Sequence, residues 1–177
     1  MRTLAISYFI SLDGVHEDPM AWVGPYYDQE AVGESVAELE RAHAMLMGRN
    51  TYDYLKKTTS GQISPHAVRL NEIPKYVYSS TLSSVDWPGS TVISTDPMES
   101  VMNLKKDGND ELIIYGHGQL SHQLLQSGLV DEVRIGIFPL VLGRGRPAFS
   151  AARSPVAMKL VDMRRSQTGV VHLIYGR

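Results

Sequence analysis

Short apolar runs alternate with helical stretches along the chain. Residues 3–10 (TLAISYFI) and 112–115 (LIIY) have the length and the β-branched content of buried strands. The predicted strands are residues 3–10, 45–47, 75–78, 91–94, 111–115 and 133–138. Because strands and helices alternate, the pattern favours an α/β domain built on a largely parallel sheet.

Helices are predicted where apolar residues recur every three or four positions. In residues 28–43 the recurring positions are Val32, Val36, Leu39 and His43, which places His43 on the buried stripe as a core histidine. Further helices are predicted at residues 49–57, 97–106 and 118–126.

Two other segments complete the predicted architecture. Residues 58–74 contain a glycine and two prolines and are predicted to form a loop with at most one helical turn. The C-terminal segments 156–165 and 169–175 are joined by a Gln-Thr-Gly turn, which predicts an antiparallel hairpin. The chain, residues 1–177, is therefore predicted to be one domain with a mixed, mainly parallel sheet and helices on both faces. The apolar segment 133–143 (VRIGIFPLVLG) is either a buried interior strand or a strand that pairs across a homodimer interface.

Composition narrows the classes of function. The chain has 177 residues, of which 43% are hydrophobic and 20% charged, as is usual for one globular domain. The net charge of -2 argues against a nucleic-acid partner, because phosphate-binding proteins are usually basic. The absence of cysteine excludes disulfides and cysteine metal sites and fits a cytoplasmic protein. Without a signal-peptide pattern or a run of about 20 apolar residues, no membrane partner is predicted.

Three predicted strands end in residues that suit phosphate binding. These ends are Gly48-Arg49-Asn50-Thr51, Ser79-Ser80-Thr81 and Gly116-His117-Gly118. A strand that turns on glycine into a helix exposes free backbone N–H groups at the positive end of the helix dipole. Because ligands of open α/β sheets bind beyond the carboxyl ends of strands, the sequence predicts one anion cradle at this edge. The alternative is that these residues serve turn geometry alone.

Other sites are poorly supported by the sequence. Gly116, Gly118 and Leu120 do not complete a G-x-G-x-x-G pattern, so a Rossmann-type site is not predicted. The six histidines lack metal-site spacing, and no metal is predicted. The arginines of LGRGRP (142–147) belong to a flexible turn or, alternatively, recognise an anionic substrate.

Five segments in order carry a family resemblance. They are SLDG (11–14), MLMGRNTY (45–52), YVYSSTL (76–82), LIIYGHGQL (112–120) and GLVDEVRIGIFPLVLGRGRPAF (128–149). In this order they resemble the bacterial reductase-domain family of riboflavin biosynthesis, which shares the dihydrofolate reductase fold, and its small stand-alone members in particular. The resemblance covers nearly the whole chain and implies a dihydrofolate-reductase-like fold with NADPH as the cofactor.

The resemblance also implies residues that bind NADPH. After Gly48, Arg49 is similar to the residue that meets the 2′-phosphate, and Asn50 and Thr51 to those that meet the pyrophosphate. Ser79 and Ser80 resemble the pair near the adenosine 2′-phosphate. The loop around the phosphates and the nicotinamide would comprise Tyr115, Gly116, His117, Gly118, Gln119 and Leu120. Dihydrofolate reductases hold a cis Gly-Gly peptide there, which raises the hypothesis of a cis Gly116-His117 peptide.

Three residues are candidates for the catalytic site. Dihydrofolate reductases place a carboxylate at the start of the first helix after a Trp and a Pro, and Trp22, Pro25 and Asp28 follow the same order. Asp28 is either that carboxylate or a helix N-cap. Asp13 either lines the pocket near the nicotinamide or stabilises an Asp-Gly turn. Trp22 either covers a flat ring or packs in the core. The sequence does not choose between Asp28, Asp13 and water as the proton donor.

The resemblance implies an NADPH-dependent reductase that transfers hydride to a small heterocycle. The activity it most resembles is that of 5-amino-6-(5-phosphoribosylamino)uracil reductase, although 177 residues leave no room for the deaminase domain often fused to it. One alternative is a dihydrofolate or pterin reductase. A second is a non-catalytic dinucleotide-binding or dimerising module. The expected partners are a small heterocyclic substrate and a second copy of the chain.

Overall fold

The computed structural model of the protein describes residues 1–150 and 154–177. The strands are β1 (Thr3–Ser11), β2 (Ala42–Gly48), β3 (Lys75–Tyr78), β4 (Ser90–Ile93), β5 (Glu111–Tyr115), β6 (Glu132–Phe138), β7 (Lys159–Arg165) and β8 (Val171–Gly176). The helices are α1 (Gln29–Arg41), α2 (Arg49–Thr59), α3 (Pro65–Glu72), α4 (Pro97–Lys106) and α5 (Gln119–Gln126). Two short 3-10 turns, Pro19–Ala21 and Gly24–Tyr26, precede α1.

All the strands of the described ranges belong to one sheet, in the order β4-β3-β2-β5-β1-β6-β8-β7. The neighbours from β4 to β6 run parallel, whereas β8 is antiparallel to β6 and β7 is antiparallel to β8. The predicted fold class, a mainly parallel sheet with a C-terminal antiparallel hairpin, is confirmed. Because β6 lies between β1 and β8, its apolar sequence is that of an interior strand, and the sheet edges are β4 and β7.

Hydrophobic residues on alternate positions of the strands divide the core between the two faces of the sheet. In β2, Ala44 and Leu46 pack with α4 and α5, whereas Met45 and Met47 pack with α1, α2 and α3. This follows from the two-residue period of a strand, which sends successive side chains to opposite faces. The helices therefore cover both faces, as predicted.

Two predictions of local structure are wrong. Residues 65–72 form helix α3 and not a loop: Ser64 caps it by accepting a hydrogen bond from Ala67 N, and Pro65 begins it. Proline is compatible with the first turn of a helix, because that position needs no N–H donor. His43 is exposed and lies in β2, 3.6 Å from Asp110, because α1 ends at residue 41 and the two-residue period begins there.

In the part of the chain that the structure describes, no helix has both the length and the apolar character that crossing a bilayer requires.

Candidate functional site

A cavity of about 830 Å³ lies along the carboxyl edge of the parallel strands. One end, called here the loop end, is lined by Asn50, Thr51 and residues 116–119. The other, called here the helix end, lies between α1 and the strands β1, β6 and β8. This volume is within the range of about 300–1,000 Å³ that is usual for small-molecule sites.

The three strand ends predicted to bind phosphate do lie at one edge of the sheet. Strands β3, β2 and β5 are parallel neighbours, so their carboxyl ends are adjacent. Arg49 Nη1 donates to Thr81 Oγ1 at 3.3 Å, and Ser79 Oγ accepts from Thr81 N at 3.2 Å. Arg49, Ser79 and the exposed Ser80 therefore form one polar surface beside the loop end.

Helix α2 offers backbone donors to this end of the cavity. Within the described residues no side chain caps its N-terminus, and the N-cap residue is Gly48. The N–H groups of the first turn, at Arg49, Asn50 and Thr51, therefore have no partner inside the helix. Such an N-terminus, next to an arginine, suits a phosphate group.

Gly116 shapes the loop that follows β5. Its φ of +81° lies in the region that favours glycine, and its N–H donates to Ser7 O at 2.9 Å. A Cβ atom placed on Gly116 or Gly118 would meet no described atom within 4 Å, so the backbone faces open space there. No peptide bond in residues 1–150 and 154–177 is cis. The cis Gly116-His117 hypothesis is wrong, because the positive φ of Gly116 makes this bend with a trans peptide.

The remaining residues of the predicted loop divide between cavity and core. Tyr115, His117 and Gln119 line the cavity, whereas the Leu120 side chain packs in the core. His117 is buried against Tyr8. Burial, together with the charges of two neighbouring histidines, lowers the pKa of His117 to about 4, so its ring is neutral at pH 7.

None of the predicted catalytic side chains lines the cavity. Asp28 caps α1 by accepting a hydrogen bond from Ala31 N at 3.0 Å. Trp22 packs edge-on against Phe138 and donates from Nε1 to a backbone carbonyl. For these two residues the structure favours the N-cap and core alternatives.

Asp13 serves the turn alternative. It accepts hydrogen bonds from the Ser11 hydroxyl and from the N–H groups of Leu142 and Gly143. The Ser11 bond, followed by the two backbone bonds, lowers the pKa of Asp13 to about 2. Asp13 is therefore an ionised acceptor that anchors the segment LGRGRP beside the cavity.

Arg146 of this segment lines the cavity, and its side chain is already engaged. Its guanidinium binds Glu17 Oε1 at 2.8 and 3.0 Å, and its backbone N–H donates to Glu17 Oε2. This exposed ion pair holds the segment LGRGRP against the residues around Glu17, which precede the first 3-10 turn. A role for Arg146 in binding an anionic substrate remains a prediction.

The helix end contains polar residues to which no motif in the sequence points. They include Ser35, Glu34 and Glu38 of α1, His66 of α3, Glu132 and Arg134 of β6 and His172 of β8. The one local signal was Arg134, a charged residue inside the apolar run of an interior strand. A buried arginine requires anionic partners, which the sequence could not identify.

Arg134 is surrounded by carboxylates within the described part of the chain. Its guanidinium binds Glu111 at 2.5 and 2.8 Å, Glu132 at 2.7 Å and Glu38 at 3.1 Å. We call these four residues the Arg134 cluster. Its side chains come from α1, β5 and β6, so the cluster joins the helix end to the centre of the sheet.

The family model of the RibD C-terminal domain matches residues 2–172. This chain belongs to the RibD C-terminal domain family. In sequence, this RibD C-terminal domain is 31% identical over 142 residues to the uncharacterized protein YyaP of Bacillus subtilis strain 168, covering 77% of this chain and 75% of that protein.

Solved structures share the RibD C-terminal domain fold. A protein from Shewanella sp. PV-4 assigned to riboflavin biosynthesis superposes with a TM-score of 0.80 at 24% identity, covering 100% of this chain and 99% of that one. A deaminase/5-amino-6-(5-phosphoribosylamino)uracil reductase from Thermotoga maritima gives a TM-score of 0.69 at 18% identity, covering 99% of this chain and 56% of that one. At these levels of identity the likeness shows the fold alone.

Proposed function

We propose that this RibD C-terminal domain protein is an NADPH-dependent reductase of a small nitrogen heterocycle. The observation that carries the proposal is the loop end of the cavity, where the uncapped α2 N-terminus, Arg49 and the open bend at Gly116 meet at one edge. Membership of the RibD C-terminal domain family supports it. When bound, NADPH supplies the hydride, and the protein's residues bind, orient and shield the reactants.

Different residues at and beside the loop end bind different parts of the cofactor. Arg49 and the loop of Ser79 and Ser80 bind the 2′-phosphate, since they are the exposed polar groups at the rim. The first turns of α2 and α5 bind the pyrophosphate through backbone N–H groups. The bend at Gly116 leaves room for the nicotinamide to reach the helix end.

The helix end is the substrate site. Its polar wall suits a heterocycle rich in nitrogen and oxygen, of which 5-amino-6-(5-phosphoribosylamino)uracil is the example that the riboflavin-type relatives suggest. Dihydrofolate or a pterin is the alternative substrate. Tyr27 lines the cavity without filling it, which favours an enzyme over a module that has lost its chemistry.

Arg49→Met is expected to weaken NADPH binding tenfold to about hundredfold and to leave NADH binding nearly unchanged. The reason is that a charge-assisted hydrogen bond contributes about 1.5–3 kcal/mol, and only NADPH carries the 2′-phosphate. Titration of each cofactor against both proteins, followed by intrinsic fluorescence or calorimetry, measures the effect. Lys57→Met, at the opposite end of the same helix and exposed, is the control. Equal losses for both cofactors would contradict the assignment of Arg49.

Turnover separates a reductase from a binding module. NADPH oxidation is measured with a panel of pyrimidines, pterins and folates, including the ribosylamino-pyrimidine substrate. Oxidation that depends on one of these classes supports the reductase and names its substrate class. NADPH binding without turnover of any panel member supports the module.

A second copy of the chain is the proposed protein partner. The edge strand β7 exposes Leu160, Val161 and Met163, each by more than half of its surface, and its outer edge is unpaired within the described residues. An exposed apolar edge strand favours pairing with another strand, and a two-fold axis would pair β7 with its own copy.

Met163→Glu is expected to shift a dimer to monomer in sedimentation velocity, because it places a charge in the apolar contact of β7. Val141→Glu, on an exposed loop, is expected to leave the dimer intact. A monomeric wild-type protein would rule out the dimer.

A further inference from the structure

Glu38 is the most enclosed acidic residue on the wall of the cavity. Its side chain is 13% exposed, compared with 33% for Glu34 and 34% for Glu132, and the other acidic lining residues lie at the outer rim. Glu38 lies on the third turn of α1 and faces the sheet, so its carboxyl group reaches both Arg134 and the cavity. It is thus a largely buried acid with access to a bound ligand.

The Arg134 cluster is unbalanced in charge. One guanidinium faces the carboxyl groups of Glu38, Glu111 and Glu132, and uncompensated buried charge is strongly unfavourable. Glu111 and Glu132 each accept two hydrogen bonds from Arg134, whereas Glu38 accepts one, at 3.1 Å. Glu38 therefore has the weakest support as an anion and is the group that keeps a proton most readily.

The surroundings of Glu38 act in the same direction. Burial raises the pKa of Glu38, and the Glu111 charge adds to this, while Arg134 and the Ser7 hydroxyl oppose it. The other titratable groups around it are Tyr27 and Tyr115, whose pKa values are raised by burial. His172, near the neighbouring Glu34, has a pKa lowered by burial. Glu38 is therefore the group in this region whose acid form extends above the ordinary glutamate range.

Glu38 also lies close to the junction between the two ends of the cavity. Its neighbours Ser7 and Tyr115 are register partners on β1 and β5. Gly116 follows Tyr115 and donates from its N–H to Ser7 O. The acid thus faces the place where the helix end meets the glycine bend of the loop end.

We propose that Glu38 is the proton donor of the reduction and that Arg134 positions it. Resting on the proposed function, this assigns a C=N bond as the reducible group, either in the ring of a pterin-type substrate or in the open-chain imine that joins the sugar to the ring of a ribosylamino-pyrimidine. The carbon accepts the hydride, the C=N π bond breaks, and a Glu38 oxygen gives its proton to the nitrogen, which completes an amine. The carboxylate that remains is held by Arg134 and regains a proton from water before the next turnover.

Glu38→Gln is expected to lower kcat by about 100-fold or more, the usual contribution of a general acid. NADPH affinity is expected to stay unchanged, because Glu38 is not at the loop end. In the wild type, kcat falls as pH rises through the pKa of Glu38, since the acid must be protonated. We call this fall the pH limb. The limb is expected to disappear in Glu38→Gln and to remain in Glu38→Asp. Glu40→Gln, exposed on the same helix, is the control with unchanged activity.

Two further measurements separate chemistry from a structural role. Glu132→Gln removes another carboxyl partner of Arg134, so a loss that came only from disturbing Arg134 would appear in both variants, whereas only Glu38→Gln loses the pH limb. In the wild-type protein without cofactor, ¹³C NMR titration of labelled glutamate carboxyls should give Glu38 a higher pKa than any exposed glutamate.

The outcomes are distinct. Turnover by the wild type with an unaltered kcat profile in Glu38→Gln overturns the proton-donor role and leaves the reductase intact. A pKa of Glu38 in the ordinary glutamate range, measured by the NMR titration, also overturns that role. NADPH binding without turnover of any panel substrate removes the reductase, and the proton-donor role with it. Loss of kcat and of the pH limb, with a raised NMR titration, supports the proposal.

Discussion

Replacing Arg134 by methionine is expected to lower the free energy of unfolding by about 3–5 kcal/mol at neutral pH, the usual result of removing one partner from a buried ion pair. The side chain of Arg134 is 13% exposed, and it provides the hydrogen bonds that hold Glu38, Glu111 and Glu132. Methionine keeps much of the volume but leaves these carboxylates facing one another. Urea unfolding followed by circular dichroism measures the loss.

The effect of Arg134→Met should depend on pH with a definite sign. Without the guanidinium, the pKa of Glu38 in the folded protein, which burial already raises, rises further above that of the unfolded chain. The folded state then binds more protons, so stability is present at low pH and is lost as pH rises through the raised value. The deficit relative to the wild type is therefore larger at pH 8 than at pH 5. A deficit independent of pH would mean that the variant loses packing and not charge compensation.

Two variants control the Arg134 result. Arg164→Met removes an arginine that pairs with Glu34 and Asp162 at the surface, and it should cost less than about 1 kcal/mol, as exposed pairs do. Adding Glu111→Gln to Arg134→Met removes one of the carboxylate charges and should recover part of the stability. A loss from Arg164→Met as large as that from Arg134→Met would contradict the special role of the buried cluster.

The second large effect is expected from Lys75→Met, with a loss of about 2–3 kcal/mol in the free energy of unfolding. Lys75 is 1% exposed. Its Nζ donates to the carbonyl oxygens of Asn71, Ile73 and Pro88 at 2.8–3.1 Å and lies 4.6 Å from the centre of the Trp87 ring. Methionine would leave these carbonyls without a donor and would remove the cation–π contact, so the end of α3 and the turn before β4 would separate.

The pH dependence of Lys75 provides the check. Burial, and more weakly the charge of Arg69, lower the pKa of Lys75 to about 8. Because the unfolded chain keeps this proton up to its higher pKa of about 10.4, the unfolded state binds more protons between these values. Wild-type stability should therefore rise from pH 8 to pH 10, and the Lys75→Met protein should lack that rise. Guanidinium unfolding at both pH values tests this.

A lysine with an exposed partner is the control for Lys75→Met. Lys56 pairs with Asp86 at the surface and lies 6.0 Å from the Tyr52 ring, so Lys56→Met keeps the same substitution without the burial. It should cost less than about 1 kcal/mol. Equal effects from the two variants would show that the enclosed position of Lys75 does not matter.

The sequence predicted where the strands and most helices lie along the chain, because their signals are local. The alternation Ala44, Met45, Leu46, Met47 identifies a strand buried on both faces without knowledge of its neighbours. Helix α3 was missed because a Ser-Pro pair, here Ser64-Pro65, is found both at the start of helices and in loops that interrupt them. His43 was placed on the helix because the apolar pattern of α1, with a period of 3.6 residues, is followed directly by the two-residue pattern of β2, with no turn residue between them.

The candidate site divides in the same way. The glycine turns after β2 and β5 and the serines after β3 could be predicted to meet, because the carboxyl ends of neighbouring parallel strands meet at one edge. The catalytic candidates could not be chosen, because the sequence favoured a helix cap for Asp28 without excluding an active-site role. Only its contact with Ala31 N shows the cap.

The sequence by itself determined the mainly parallel sheet, its C-terminal hairpin and the glycine and serine residues at the strand ends that meet at one edge, because periodicity and turn chemistry act between residues close in the chain. Only the tertiary structure decided which acid faces the cavity. Glu38 and Arg134 are 96 residues apart, and Glu111 and Arg134 are 23 apart. Each of these charges alone is an ordinary polar residue; their burial around one guanidinium exists only when α1, β5 and β6 pack together.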